Sequence, residues 1–526
     1  MNIGFLFDDY TVQKWMIEPI RLLSNNPMFN FVLIIDKKPI NSIESKIQSI
    51  DYHSIIENQR KINVDSAMDS IDLNSNKDEL ISSLNNLQFL PNIENCNVLS
   101  NFNLDIIVNF SKKIRLCIDS FTKNGIFQLF FGEDFSERFS PIGIWEINTH
   151  KKTSVINIEK IPSKNELGYT ICKSIVSTNE ISIKRNQNNL LWSASELLFN
   201  FINNFSKFEY ISKENSIDLN SFEKLTLKKI ATKNKLNFHT TSTINTFKSK
   251  LKKKSSENWD LLYALNFSDL YDFKKYKKID SPDDRFWADP FFIFQDNYYY
   301  IFIEEKFFEK PHGHISVIQI DSNGNFIQTK KIIEQPYHLS FPFIFKFEDT
   351  FFMIPESHQK KTIDVFKCVN FPYEWEFYSS IMTDVDAVDT IIYPYEKKWW
   401  LFTSIKNSTF SQRNGLQIFY SDNPLTNSWI PHPKNPVIND VRYFRSAGNI
   451  FEKDGELFRP SQFMEDEYGY GISINKIDLL NFQEYVESPK FILEPNWTSK
   501  ISGLHTINHD DNFSIIDIKS YGKIKS

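Results

Sequence analysis

A single hairpin, written five times, constrains this chain more than any other feature of its sequence. Its first copy runs Arg285-Phe286-Trp287-Ala288-Asp289-Pro290-Phe291-Phe292-Ile293-Phe294, turns at Gln295-Asp296-Asn297, and returns through Tyr298-Tyr299-Tyr300-Ile301-Phe302-Ile303-Glu304-Glu305. Two runs rich in aromatic and β-branched residues, split by a short polar tip, predict a tight β-hairpin. A hairpin brings the chain back to where it began, so Asp289 and Glu305 are expected at one end of the sheet. Phe343 to Glu356, Thr390 to Phe402, Gly448 to Arg459 and Leu504 to Asp517 repeat the pattern. Copies spaced roughly 50 residues apart suit four-stranded propeller blades, and five copies predict five blades.

The all-β region is expected over residues 258–526, with Trp259 to Leu265 pairing with the last hairpin to close the ring and leave no open sheet edge. The inner strand of each blade lines the central channel. Residues just before inner strands, and those ending their partners, should therefore meet at one mouth. That reasoning gathers Asp289, Asp389, His505 and Arg445 with Glu305, Glu356, Arg459, Gln462 and Asp517. Charged groups are costly to bury unless paired or ligated, and their recurrence at one structural position points to a binding pocket. Each carboxylate taken singly is equally a strand cap or an ion-pair partner of Arg285, Arg445 or Arg459. Trp287, beside Asp289, is the expected sugar-stacking platform; the other aromatics fill packing between blades. His312-Gly313-His314 has no nearby third ligand, so it reads as a strand start and no metal is expected.

Length demands more than this one domain, since 526 residues exceed an ordinary single core. Residues 1–212 read as α/β. Ile3 to Phe7 is a buried strand, Val12 to Leu23 an amphipathic helix and Phe29 to Ile35 a second strand, which together make a parallel unit. A helix is expected over Lys77 to Leu87. Leu104 to Phe110, Gly125 to Phe131, Ser154 to Ile161 and Tyr169 to Ser177 continue the sheet, and Asn186 to Phe205 has helical spacing. Residues 213–257 are a basic linker carrying Lys224, Lys228, Lys229, Lys233 and Lys235, then Lys248, Lys250, Lys252, Lys253 and Lys254. Such a run is a solvated connector or an electrostatic contact with an anionic membrane surface or phosphate-bearing substrate.

A net charge of −6 argues against general nucleic-acid binding. Cys96, Cys117, Cys172 and Cys368 show no paired spacing, which predicts reduced thiols in a cytoplasmic protein, peripheral to a membrane if the linker engages one. Met1 to Asp9 lacks a basic leader and no apolar run reaches the roughly 20 residues that span a bilayer. Oligomeric state is left open.

Leu104-Asp105-Ile106-Ile107-Val108-Asn109-Phe110, Gly125-Ile126-Phe127-Gln128-Leu129-Phe130-Phe131 and Pro141-Ile142-Gly143-Ile144-Trp145-Glu146-Ile147 resemble the Rossmann-type domain of the methionyl-tRNA and sugar N-formyltransferases. The resemblance implies an Asn, a His and an Asp acting on a folate-borne formyl group. Here the corresponding positions hold Gln128, Phe130 and Glu166. A phenylalanine cannot move a proton, so the expected role is a scaffold without formyl transfer. The alternative, a sugar N-formyltransferase whose propeller docks the acceptor, alone would call for a cofactor, 10-formyltetrahydrofolate.

Trp287-Ala288-Asp289-Pro290-Phe291 is similar to the first-blade motif of five-bladed glycoside hydrolases and fructosyltransferases, which implies a base or nucleophile at Asp289. Met353-Ile354-Pro355-Glu356-Ser357, Arg459-Pro460-Ser461-Gln462, Tyr468-Gly469-Tyr470-Gly471 and Gly503-Leu504-His505-Thr506 look more like the propeller region of glucosamine inositolphosphorylceramide transferase and related bacterial proteins. Where the hydrolases place a second-blade acid, this chain has Ser340-Phe341-Pro342, leaving Glu356 as the expected acid and Asp389 as its partner. These resemblances imply a glycan-active protein of bacterial surface-polysaccharide assembly that binds a nucleotide-sugar or glycan and processes a glycoside by transfer or hydrolysis. The second alternative is a non-catalytic carbohydrate-binding partner of a glycosyltransferase.

Overall fold

A computed structural model describes residues 1–36, 67–73, 87–90, 96–111, 116–133, 135–138, 142–162, 168–205, 257–266, 271–406, 415–465 and 468–521. They fall into two compact units. The basic linker lysines, Glu166 and most of the helix expected over Lys77 to Leu87 lie outside the described residues; Leu87 itself begins a strand, Leu87–Leu90.

In the first unit the apolar run Asn2–Phe7 is an interior strand, the third of a seven-stranded sheet. It pairs in parallel with Asn30–Ile35 on one side and Ile106–Asn109 on the other. Ile126–Phe131 extends the parallel set, while Thr153–Lys160 and Tyr169–Ser177 add two antiparallel strands. Strands covered on both faces read as unbroken apolar runs, and NIGFLF and NFVLII do so. The helices Lys14–Leu23 and Ile183–Asn203 bury Trp15, Ile20, Leu191 and Phe201 in the core beside those strands. Ser182 caps the longer helix by accepting the N–H of Arg185 at 3.3 Å. The first helix starts later than expected because Thr11–Gln13 is a short strand paired with Ser70–Asp72. Cys96 is disulfide-bonded, against the expectation of four reduced thiols, whereas Cys172 and Cys368 are free.

The second unit is a five-bladed β-propeller. Three sheets have four strands each over Arg285–Ile333, Ser340–Thr383 and Asp386–Pro431, and a fourth runs from Phe451 to Leu493. In these four blades the first hairpin turns on two consecutive residues of positive φ: Asp296-Asn297, Glu348-Asp349, Glu396-Lys397 and Asp454-Gly455. Two left-handed residues in a two-residue loop match the twist of the flanking strands, which is why polar tips recur there. The fifth sheet joins both ends of the domain, since Glu257–Leu265 runs antiparallel to Phe513–Tyr521 from Glu257↔Tyr521 to Leu265↔Phe513. Blade faces pack through aromatic and β-branched layers such as Phe291, Phe341, Phe343 and Trp400. Among the described residues no helix is long and apolar enough to cross a membrane.

Candidate active site

The inner strands of three blades break register just where they reach the mouth. The breaks lie between Ala288 and Phe291, between Ser340 and Phe343, and between Val388 and Ile391. In each gap one residue is left-handed: Asp289 at φ 52°, Phe341 at 45° and Asp389 at 48°. In the fourth blade the approach to the mouth carries Gly448 at φ 140°. A bulge re-aims its side chain out of the pleat, and a non-glycine held there costs about 1–3 kcal/mol. Two of the three carry buried carboxylates. Phe341 has no carboxylate to re-aim and contributes its backbone, donating N–H to Asp289 Oδ2 at 3.1 Å.

Asp289 anchors one cluster. Its Oδ1 also accepts from Thr506 Oγ1 at 2.9 Å, and His505 Nε2 stands 3.5 Å away. Asp517 organises the group from beneath, accepting the backbone N–H of Asp289 at 3.0 Å, of His505 at 3.0 Å and of Thr506 at 2.9 Å. His505 Nδ1 lies 2.6 Å from Asp517 Oδ2. Burial, with Asp517 and Asp389 nearby, lifts the Asp289 carboxyl to about 6 against the pull of His505 and Thr506. His505 is raised from its ordinary value because Asp517 and Asp289 outweigh the cost of burying its charge. Its ring stacks on Trp259 at 4.0 Å and meets the edge of Tyr468 at 5.7 Å.

Asp389 anchors the other. Its Oδ2 takes the Arg445 guanidinium and Gln462 Nε2, the latter at 3.1 Å. Its carboxyl is a hydrogen-bond neighbour of Glu356, whose Oε1 lies 2.7 Å from His358 Nδ1 and whose Oε2 lies 3.8 Å from Arg445 Nη2. Burial raises Asp389 to about 6, with Glu356 adding to the rise and Arg445 opposing it. Glu356 goes the other way: His358, Arg445 and Asp389 outweigh burial and hold it below the usual range. These opposed shifts favour a proton on Asp389 over one on Glu356, the residue that the sequence pointed to as the acid. Tyr468 ties the clusters together, its ring 4.9 Å from the Arg445 guanidinium and edge-on to His505.

Sequence reasoning missed Glu304. It chose Glu305, but Trp287 pairs with Glu305 and Ala288 with Glu304 across the hairpin, so strand alternation turns the two acids to opposite faces. Glu304 is the one whose carboxyl feels Asp289, Glu356 and Asp517, and burial with these neighbours raises it well above the ordinary range. His338 Nδ1 accepts the Gly313 N–H at 2.9 Å, which leaves the proton on Nε2, 3.4 Å from Glu304 Oε1. The alternating run YYYIFIEE held this information, since only one of two adjacent acids can face the channel.

Three other expectations are corrected. Glu305 lies in a separate buried network, its oxygens filled by Arg285, Trp287, His314 and Ser316. Trp287 is buried between blades with its indole N–H on Glu305 at 3.0 Å, so it presents no stacking face at the mouth. Arg459 is fully buried against Glu487 within the fourth blade, Nε to Oε2 at 2.8 Å and Nη2 to Oε1 at 2.7 Å. In both cases a motif residue next to a mouth residue points the other way. Arg285 belongs with Glu305, not with Asp289. Gln128 and Phe130 of the first unit hold no acid or base: Gln128 Oε1 accepts from Asn109 Nδ2 at 2.9 Å, and Phe130 lies under the Arg138 guanidinium at 5.2 Å.

Among the described residues, Asp289, His505 and Asp517 are the group that could hold a metal ion, their ligand atoms lying within 4.8 Å of one another. All four of the carboxylate oxygens already accept a hydrogen bond from protein N–H or O–H groups. The set is thus satisfied by donors of its own chain, and an ion would have to displace them.

Fold and site together define a five-bladed propeller with a buried, acid-rich mouth. Residues 275–501 match the sequence family described as glucosamine inositolphosphorylceramide transferase 1, N-terminal. Proteins named glucosamine inositolphosphorylceramide transferase 1 are 35% identical over 223 residues in Arabidopsis thaliana and 32% identical over 208 residues in Oryza sativa subsp. japonica. These matches cover 41% and 39% of this chain but 29% and 28% of the relatives, so the chain spans less than a third of their length. Among solved structures, a family 117 glycoside hydrolase of Zobellia galactanivorans is similar at 11% identity and TM-score 0.34, covering 50% of this chain and 90% of that one. A Bombyx mori GH32 β-fructofuranosidase is similar at 10% identity and TM-score 0.35, covering 54% and 62%. The family match begins at residue 275, and the formyltransferase resemblance of the first unit gains no support from it.

Proposed function

We propose that the propeller mouth binds a glycoside and breaks its glycosidic bond, passing the sugar to water or to an acceptor. One observation carries this reading: two buried carboxyls, Asp289 and Asp389, are each raised to about 6 and each held by a different set of partners. Pairs of acids in unlike surroundings divide into a proton donor and a base or nucleophile. Asp389 has the donor's environment, because Glu356 beside it stays ionised and favours a proton on it. Asp289 has the base's, because its oxygens face Thr506, the Phe341 N–H and His505, whose protonated form the neighbouring carboxylates favour. Arg445 and Gln462, both on Asp389, and Tyr468, which meets Arg445 and His505, are the positioning groups. The match to proteins named for a glucosamine inositolphosphorylceramide transferase supports a sugar ligand.

The test is turnover of a panel of p-nitrophenyl glycosides, pyranosides and furanosides of both anomeric forms, with product formation followed with and without an alcohol acceptor. Release that is lost in Asp289→Asn, with Asp389→Asn losing turnover of unactivated glycosides while keeping part of the p-nitrophenol release, supports the reading. Glycoside binding by calorimetry that persists in both variants with no release from wild type would make the mouth a binding module. Neither binding nor release from any member would overturn it.

A further inference from the structure

A cleft of about 410 Å³ opens on the first blade, and it shares no residue with the acid cluster of the mouth. Its floor and walls include Trp287, Glu305, His314, Phe326, Thr329 and Lys331. Asp280 and Pro282, which follow the outer strand Lys277–Ile279 of the fifth blade, close one side, so the cleft is the wedge where those two blades diverge.

Every charge around it is committed. Arg285 is bound by Asp284 and Glu305, Lys310 and Lys331 share Glu334, and Asp280 pairs with Lys278. Glu305 has both oxygens filled. Two polar atoms are not satisfied: His314 Nδ1 and Thr329 Oγ1 are buried without a hydrogen-bond partner, and His314 is only 2% exposed. Glu305 is held ionised, at about 2, because His314, Ser316, Trp287 and Arg285 outweigh its burial. His314 Nε2 faces that carboxylate at 3.0 Å, which leaves Nδ1 as the ring nitrogen without a partner. Over the same cleft Phe326 is 54% exposed.

We infer that this wedge is a second, non-catalytic binding site for a neutral sugar unit, with one ring face on Phe326 and hydroxyl groups on His314 Nδ1 and Thr329 Oγ1. The chemistry selects this class. An exposed aromatic face takes the apolar face of a pyranose, a buried ring nitrogen and a hydroxyl without partners match the hydroxyls of a sugar edge, and cations that each already engage a carboxylate favour a neutral ligand over a phosphate or sulfate. The site stands independently of chemistry at the mouth.

The test uses the full chain with maltotetraose, cellotetraose and chitotetraose as probes, followed by saturation-transfer NMR and calorimetry, and inorganic phosphate as the charged control. At least one oligosaccharide is expected to bind. Phe326→Ala, at an exposed position, and the isosteric Thr329→Val should each weaken it about three- to tenfold. Binding by none of the three, wild-type affinity in both wedge variants, or phosphate competing for the wedge would each overturn the assignment.

Discussion

Asp517 Oδ2 accepts the backbone N–H of Asp289 at 3.0 Å, a hydrogen bond that spans 228 residues of chain and joins the last strand of the propeller to its first inner strand. Its other oxygen takes the N–H groups of His505 and Thr506. Asp517→Asn puts an amide where one of these donors points, leaving a buried N–H facing another donor at a cost of about 1–3 kcal/mol. Because the donors belong to the residues that carry Asp289 and His505, turnover should fall by far more than stability does. Urea midpoints and turnover measured well below the midpoint separate the two. Activity that simply tracks the folded fraction would show that Asp517 does nothing but hold the ring closed.

Much of the propeller is visible in the sequence, because its period is written in hairpins whose polar tips must supply two left-handed residues, as at Asp296-Asn297 and Glu396-Lys397. The pairing of Trp259 to Leu265 with the last strand is equally legible, since a closed ring needs its ends joined. Which way a side chain faces is harder to read. Register at the inner strands is broken by bulges, so counting by twos from Trp287 fails before Asp289 is reached, and the choice between Glu304 and Glu305 turns on pairing that only the hairpin fixes. Arg459 misleads for a related reason. It sits three residues from Gln462, which does reach Asp389, but its guanidinium enters the blade towards Glu487, a strand that no motif pointed to.

Arg459 thus makes a prediction about stability in place of binding. Arg459→Ala leaves Glu487 buried without its cation and should cost about 3–5 kcal/mol. Pairing it with Glu487→Leu removes the stranded charge and should recover a large part of that loss. A double-mutant cycle by chemical denaturation measures this, and glycoside affinity in whichever variant stays folded should match wild type. A specific loss of affinity there would return Arg459 to the site.

Gly448 marks the fourth blade's approach to the mouth. A Cβ at this position would lie 2.0 Å from the Ile507 carbonyl oxygen, on a backbone whose φ of 140° is already foreign to other residues. Ile507 N–H in turn donates to the Ala447 carbonyl at 2.8 Å, so the fourth and fifth blades cannot simply separate there. Gly448→Ala should destabilise the propeller by about 3 kcal/mol or more. A thermal midpoint within a degree of wild type would mean that the two blades do not meet this closely.

With Asp289 required ionised and Asp389 required protonated, both near 6, the pH–rate profile should be a narrow bell centred close to pH 6. The acid limb is protonation of Asp289, and the alkaline limb is loss of the proton from Asp389. The two midpoints belong to the coupled set of acids, not to single residues. Glu356 raises Asp389 both by its charge and by its hydrogen bond. Glu356→Gln removes both influences, so Asp389 releases its proton more easily and the alkaline limb should move to lower pH while the acid limb stays. An alkaline limb that stays fixed would exclude Asp389 as the donor.

Asp389→Asn tests the same assignment from the side of stability. A carboxyl raised in the folded state, from an ordinary 3.8 to about 6, binds its proton more tightly folded than unfolded. The folded state therefore gains least where the group must ionise: its stability declines as pH rises from about 4 through 6 and levels off above. An asparagine imitates the protonated form. Its oxygen can accept from Arg445 and Gln462, which both reach Asp389 Oδ2, and its amide can donate to Glu356 as the acid's own proton would. The variant should accordingly unfold at the same or higher urea concentration than wild type at pH 8, lose that advantage at pH 5, and release no product from an unactivated glycoside at either pH. Catalytic residues commonly hold a fold below its attainable stability in this way. A variant less stable than wild type at pH 8 would mean that the fold favours the ionised form of Asp389 over the protonated one, and the proton donor would have to be sought at Glu304.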